Sequence, residues 1–589
     1  MQKSKQFARK NRRTGESGQA MILMMLIFSI VLLGAIAFAI DMGMLWYHRQ
    51  AAQNAADAVC TAGAMDMLVN ASGSPTGHQG FTSGTSFDCQ AHPTYPVCVY
   101  AARNGYDSKN TTPGNFVQVS FPAKAQITGV PSSAVPDTTL VPNAFMRVDL
   151  TDRVQTWYSA LLSGQTTRTV RAMAVCGVVM EDSPVPIVVL HPTQPASLQG
   201  NGVNGLIKIL GGPSKSIEVN SGSTTAVNFQ GIIDLSQGGP NYDGSQLGTW
   251  GGPPTPTGTF LPNASYWINR AAPVLDPFQG IVAPPQPAAP ATPSDLAGNA
   301  NCTSVKIQAG SCRIDYWKKA GGIGIAHGCP DPDTSKNPQP CVLYTAGVYT
   351  GPLNLGGGGG NRSTYVFDPG VYYIKDGITA NSNSVVRTST FTPPAPNNIG
   401  GIMFYVTGTP QNCGAGGSKG LVCFDSNSGS KATNSPALDT FSIASSQCAG
   451  GGAVDAKLFA ALAKNGTPST GLNGNLLLAP CSGTYGFTID GLTYRGILFF
   501  QDRAVKNIQN AYGGGGSSLA AGSMYFHESA TYTSQLKLQG NAGSTSFILG
   551  EIIVDTVGMG GNPTIDMVLN PSKSNALLKA TLLPWSSTN

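Results

Sequence analysis

Twenty consecutive residues, Met21 to Ile40, carry no charge and read as a single apolar helix. At 1.5 Å per residue such a run crosses the ~30 Å hydrocarbon core of a bilayer. Its flanks are unequal. Lys3, Lys5, Arg9, Lys10, Arg12 and Arg13 precede it, opposed by Glu16. Cytoplasmic flanks carry the excess of Lys and Arg, so the tail is expected inside and everything after Asp41 outside. Trp46 and Tyr47 stand where an outer aromatic belt belongs.

A cleaved secretory signal would have an apolar core of roughly 7–15 residues and a small-x-small cut site. Here the core is longer, and it ends in AIDMGMLWYHRQ, which continues as a helix. The layout also suggests a prepilin, with a basic leader, a Gly at the cut and Glu at the fifth mature position. A cut after Gly18 puts Leu23 there, and a cut after Gly15 puts Ala20. The missing carboxylate argues against processing, so the run reads as a retained single-pass anchor.

The apolar run passes into RQAAQNAADAVCTAGAMDMLV, Arg49 to Val69. Alanine is the best helix former. Ala51, Ala52, Ala55, Val59, Ala62 and Met65 recur near helical spacing, while Gln53, Asn54, Asp57, Thr61 and Asp66 are polar. One continuous helix with a small-residue face is expected. That face needs a partner, either the chain's own next domain or another subunit.

Beyond the helix the composition changes. Charged residues make up 11% of the chain, against roughly 25% in an average globular protein. There are 73 glycines and 41 prolines, and 41% of residues are apolar, which suits a turn-rich β protein better than a disordered one. The net charge of +5 is carried by the basic tail, so the body is near neutral and nucleic acid is not an expected partner.

The twelve cysteines all follow the anchor. An even number in an exported chain reads as disulfides. Close pairs suggest Cys89–Cys98, Cys302–Cys312, Cys329–Cys341 and Cys413–Cys423. Zinc is the rival, but no Cys-x-x-Cys occurs and the six histidines are scattered.

Five segments are expected: a basic tail, 1–19; the anchor, 20–47; the amphipathic Ala-rich helix, 48–70; a small α+β module, 71–182; and a β-rich body, 187–589, with a Cys-rich insertion at 300–342. In the module, residues 115–123, 144–150 and 167–179 alternate as strands and 156–162 reads as a short helix. The stretch EDSPVP, Glu181 to Pro186, marks the boundary. In the body, short apolar strands alternate with Gly, Asn and Ser. YTAGVYTGPLNL echoes FDPGVYYIKDGI, and the Gly-led strands GIMFYVTG, GILFFQD, GSMYFHES and GEIIVDTV echo one another. Such degenerate rungs suggest a parallel β-helix, with a long-looped β-sandwich as the alternative.

The stretch Gly18 to Ala64 closely resembles the TadG-like N-terminal segment of Flp (Tad) pilus-assembly proteins. The matching residues are Gly18-Gln19, Asp41-x-Gly43 with an aromatic nearby, and Gln53-Asn54-Ala55-Ala56-Asp57-Ala58 leading to Ala62-Gly63-Ala64. The resemblance implies a bacterial inner-membrane accessory protein of the tight-adherence pilus machine, with its body in the periplasm or beyond. Implied partners are membrane lipid, other pilus-assembly proteins or pilins, and surface carbohydrate. Some relatives carry a DxSxS metal site in the body; Asp234-Leu235-Ser236-Gln237-Gly238 has half of it and Asp425-Ser426-Asn427-Ser428 lacks the central Ser.

No cofactor or metal is expected. Asp331, Asp333, Ser335 and Asn337 alternate as in a calcium loop, but Lys336 and Val342 stand where Gly and Glu belong. A polysaccharide-acting enzyme would need clustered carboxylates on one face. Asp490, Asp502, Glu528, Glu551, Asp555 and Asp566 form no paired motif, and H-E-x-x-H and P-loop patterns are missing. The expected role is non-enzymatic, through contact by the Ala-rich helix and the rung edges. The alternatives are a membrane-tethered carbohydrate-acting enzyme and a surface adhesin that borrows the anchor.

Overall fold

A computed structural model describes residues 16–71, 80–107, 114–130, 134–136, 141–180, 185–291, 311–314, 341–355, 363–380, 384–389, 401–413, 418–425, 440–441, 472–479, 494, 496–514, 517–540, 545–569 and 578–584. The chain divides into two units, Met1–Val179 with Leu578–Asn589, and Met180–Leu577.

In the first unit the apolar run and the Ala-rich stretch form one unbroken helix, α1 (Glu16–Ala71). No Pro interrupts it and Ala dominates its second half, so nothing local stops the helix. Four strands follow, β1 (Phe87–Asp88), β2 (Phe116–Ser120), β3 (Phe145–Gln155) and β4 (Thr167–Met180). They pair antiparallel in that order. Two short helices punctuate them, α2 (Pro96–Arg103) and α3 (Tyr158–Ser163). Pro96 opens α2, where its missing N–H costs nothing. A last strand, Leu578–Leu583, sits beside β4 at the sheet edge. The sequence reading had assigned it to the β-rich body. It belongs to the first unit because Leu578, Ala580 and Leu583 pack against that unit's apolar core.

The second unit is a coil of three parallel sheets. Its chain visits them in a fixed cycle, first Ile187–Val189, then Leu198–Gly200, then Leu206–Leu210, and the next circuit starts at Lys215–Val219. Each of these strands pairs in parallel with its counterpart one circuit away. The four Gly-led echoes are stacked neighbours in one sheet: Ile402–Thr407 on Ile497–Gln501, then Ser523–Phe526, then Ile552–Val554. Their leading glycines stand at one corner of the coil. Gly522 has φ +126°, and a Cβ on Gly550 would fall 2.5 Å from the Gly522 carbonyl oxygen, so a side chain is barred at both. Inside, Phe404, Phe499 and Phe526 form a continuous stack with centroids 5.4 and 6.0 Å apart.

The winding order is not the chain order. The chain enters in the middle of the stack and winds to one end at Trp267–Asn269. It resumes at the other end, where Ser311–Ile314 pairs antiparallel with Cys341–Tyr344 and Gly347–Tyr349 closes the neighbouring sheet, and winds back. The last circuit closes on the first: Ile552 pairs with Ile187, Val557 with Leu198 and Thr564 with Leu206, all in parallel. The coil is thus a permuted stack with a seam between its first and last circuits.

The Pro-rich stretch Trp250–Pro293 reads from its sequence as an irregular excursion, but its part from Val274 to Ala288 is a strap across this stack. Val274 exchanges two hydrogen bonds with the Asn220 amide, at 2.7 and 2.9 Å. Tyr525 donates to Asp276 at 2.7 Å. Arg503 donates to the carbonyls of Ile281, at 2.7 Å, and Phe278. Tyr494 donates to Val282 at 3.0 Å, and Val348 N–H to Ala288 at 3.0 Å. These partners follow the stack from the circuit beyond the seam to the far end, so the strap carries the chain between the two ends. Phe278 and Ile281 seal it onto an outward aromatic ladder, Tyr405, Phe500 and Tyr525.

Candidate functional site

Among the described residues nothing packs on the apolar first half of α1. Its most apolar window, of mean hydropathy 2.8, is entirely unburied. A core helix of a soluble protein would be covered, so this segment fits a membrane anchor. Burial begins at Asp41, which is 2% exposed.

Asp41 serves as the cap of another helix. Its carboxylate accepts the N–H groups of Trp157, Tyr158 and Ser159, at 3.3, 3.0 and 2.5 Å. These are orphan donors at the start of α3, and Trp157, at the capping position, makes no side-chain bond of its own. The residue that ends the apolar run is therefore also the one that orders α3. A Cβ on Gly43 would meet nothing within 4 Å, so nothing in the structure explains that glycine.

The Ala-rich half of α1 packs on its own unit. Ala52, Ala55, Ala56, Val59, Cys60, Ala64 and Met67 are buried together with Val148, Leu150, Ala172 and Ala174 from β3 and β4. The expected stripe was displaced: Met65 is exposed, and the buried line runs through Gly63 and Ala64 to Met67. A Cβ on Gly63 would collide with the end of the Met146 side chain, so a larger residue there requires that methionine to move. The Ala face is covered by the chain itself, which removes it as the expected surface for another protein.

Polar residues of the motif fix the register of this contact. The Gln53 amide donates to Asp57 and to the Met173 carbonyl, both at 2.9 Å, tying α1 to β4. Ala55 and Ala56 are buried beneath, while Asn54 is exposed. Gly18 and Gln19 lie in the first turns of α1. His48 and Asp152 meet at 3.0 Å near Tyr106, whose phenol is pushed up to about 12, first by burial and then by the Asp152 charge. Asp66 has a buried carboxylate oxygen with no hydrogen-bond partner, and burial raises its pKa to about 6.

A disulfide that sequence spacing missed closes the same contact. Cys60 on α1 is joined to Cys176 on β4 across 116 residues. The available signal was periodicity: Cys60 lies on the buried stripe and Cys176 on the inward alternation Ala172, Ala174, Cys176, Val178. The structure also joins Cys89 to Cys98 and Cys413 to Cys423. Cys302 and Cys329 lie outside the described residues, as do the side chains of Cys312 and Cys341 and the Asp331–Asn337 stretch.

Three of the late acids of the coil, Asp502, Glu528 and Asp555, are tied into its corners. Asp502 accepts from Thr407 at 2.6 Å and from Ala504 N–H at 3.0 Å. Glu528 takes the N–H groups of Ala530 and Thr531, both at 2.7 Å, and its pKa falls to about 2 as these bonds and the Thr531 hydroxyl outweigh its desolvation. Asp555 holds His527 at 2.6 Å and accepts N–H groups of Glu528 and Ser534. Glu551 is fully buried beside Ser523, 3.5 Å away, and burial lifts its pKa well above the carboxylate range. Asp566 is buried, its pKa raised to about 6 by desolvation against the pull of Lys208. Asp490 lies outside the described residues. Among the described residues no group of three His, Cys, Asp or Glu side chains could hold a metal.

Residues 18–66 match the family model described as putative Flp pilus-assembly TadE/G-like. The N-terminal segment is TadE/G-like. The TadE/G-like segment lies wholly within α1, covering both its bare half and its docked half, and is well under a tenth of the chain. Among solved structures, the competence-associated pilin ComZ from Thermus thermophilus aligns with 77% of this chain and 87% of its own, at 10% identity and a TM-score of 0.22, too low to bear on the fold. No curated protein matches the chain.

Proposed function

We propose that the chain is a membrane-anchored, non-enzymatic accessory protein of Flp/Tad-type pilus assembly. The observation that carries this reading is the wiring of the TadE/G-like motif. Asp41 caps α3, Gln53 holds β4, and Ala55 and Ala56 pack under the sheet. The motif thus specifies a membrane helix that leads directly into a rigid platform. The six basic residues of the tail support an orientation with the N-terminus in the cytoplasm. Three disulfides support an oxidising compartment for both units.

The Ala-rich face is occupied, so partner contact falls to the surface of the coil, with other pilus-assembly proteins or pilins as the partners. Asp502, Glu528 and Asp555 are spent on corner bonds, and Glu551 and Asp566 are buried in the coil, which supports a structural role over polysaccharide chemistry. Deleting the gene tests the reading: piliation and adhesion should be lost and polysaccharide turnover unchanged. Normal piliation in the deletion strain would sink it. Cross-linking in membranes should in addition capture pilus-assembly components through the coil.

A further inference from the structure

The segment between β3 and β4 carries two aromatic residues, Trp157 and Tyr158, that lie outside the apolar core of the first unit. It reads TWYSALLSGQT, Thr156 to Thr166. Its neck is closed by the Thr156 N–H bond to the Thr166 carbonyl at 3.0 Å, and α3 ends at Gly164 in the left-handed region, φ 70°. Trp157 is 65% exposed and Tyr158 45%. Two adjacent aromatics stand exposed in this segment, and none of the described residues covers them.

Their height along α1 is set by Asp41. Met21 to Ile40 is the bare apolar run, and about 20 helical residues match one hydrocarbon core, so Asp41 stands at its outer boundary. Its carboxylate lies within 3.3 Å of the Trp157, Tyr158 and Ser159 nitrogens, so the start of α3 is held at that same level. Trp46 and Tyr47 on α1, 69% and 68% exposed, lie one to two turns further out. Tyr and Trp favour this zone because one end of the ring is apolar and the other wet. Arg153, Arg168 and Arg171, beside the same hairpin, are exposed and suited to headgroup phosphates.

We propose that α3 is a foot that rests in the headgroup–acyl boundary of the leaflet from which α1 emerges. Trp157 and Tyr158 enter phospholipid and Asp41 sets their depth. The first unit is then seated on the bilayer at two points and cannot swing freely about a single helix. The inference rests on the anchor reading of α1 and adds a second, independent lipid contact.

Bromine on acyl chains near the headgroup quenches tryptophan only in contact with lipid. The purified full chain, reconstituted without other proteins in phosphatidylcholine vesicles, is compared in brominated and ordinary lipid. Subtracting the emission of Trp157→Phe from that of the wild type isolates Trp157, and Trp46→Phe isolates Trp46 in the same way. Both contributions should fall by about two-fold or more in brominated lipid, as expected of interfacial indoles. Quenching of Trp46 with none of Trp157 overturns the foot and leaves the anchor standing; it would mean that α3 faces solvent or awaits a protein. Quenching of neither overturns both.

Discussion

The two units bury apolar surface by opposite means. In the first, each decisive contact joins residues far apart in sequence and is made once: Cys60 with Cys176, Gln53 with Met173, Asp41 with the start of α3. In the coil, each circuit repeats the contact of the circuit before it, and no single residue specifies the whole. A unit built on unique contacts can carry a sequence signature, because its residues cannot be exchanged. A unit built on repeated neighbour contacts tolerates exchange, since its stability is a sum of local terms. The family match falls within α1, in the unit of unique contacts.

The sharpest way to break the contrast is to remove Cys60 and Cys176 together, as alanines. Closing a loop of about 100 residues stabilises by roughly 4–5 kcal/mol in the chain-entropy model. Hydrogen exchange should collapse across α1, β3 and β4 while the coil keeps its protection. Equal loss in both units would mean that the coil depends on the first unit for its own stability.

The converse change is Phe499→Ala in the coil. A buried phenylalanine truncated in a packed stack costs about 3–5 kcal/mol. The damage should stay near Ile402–Thr407 and Ser523–Phe526, which pack directly on Phe499 through Phe404 and Phe526. Exchange at Gln246–Thr249, several circuits away, should be unchanged. Uniform loss along the stack would show that the coil melts as one body.

Arg503→Ala tests the strap. The guanidinium makes three hydrogen bonds, to Tyr525, Ile281 and Phe278, and lies 4.9 Å from the Tyr525 ring centre. Its loss should cost about 2 kcal/mol, and proteolysis should begin within residues 274–291 while the sheets stay protected. Unchanged resistance would put the hold elsewhere, on Asn220 or Tyr494.

What could be read beforehand follows the same division. The bare half of α1 was legible because twenty uncharged residues admit few solutions. The stack of Gly-led strands was legible because its corner bars a side chain at Gly522 and Gly550, which leaves a recurrent glycine before each apolar run. The permuted winding was not, because circuits that differ little in sequence can stack in more than one order. The strap was hidden in prolines that looked merely irregular. Cys60–Cys176 was missed because near pairs dominate a reading by spacing, and the buried stripe was misjudged at Met65, where helical spacing alone cannot choose between neighbours. Asp41 was singled out by resemblance, but its partner lies 116 to 118 residues away and no local pattern points to it.

The smallest expected effect compares one buried acid in each unit. Asp66 on α1 and Asp566 in the coil both have pKa values raised from 3.8 to about 6, chiefly by desolvation. A folded state that holds its proton more tightly than the unfolded one loses stability as pH rises. The contribution is whole below about pH 4, fades through pH 4–6 and is gone above it. Asp66→Asn should therefore stabilise the first unit at pH 7.5, by on the order of 1 kcal/mol once partial exposure is allowed for, and leave it unchanged at pH 3.5. Asp566→Asn should help the coil less, because the change also forfeits the attraction to Lys208. Melting each variant at the two pH values checks the pair. A larger gain at Asp566 would mean that the Lys208 attraction is negligible, and that the coil, like the first unit, has at least one position where a unique residue governs stability.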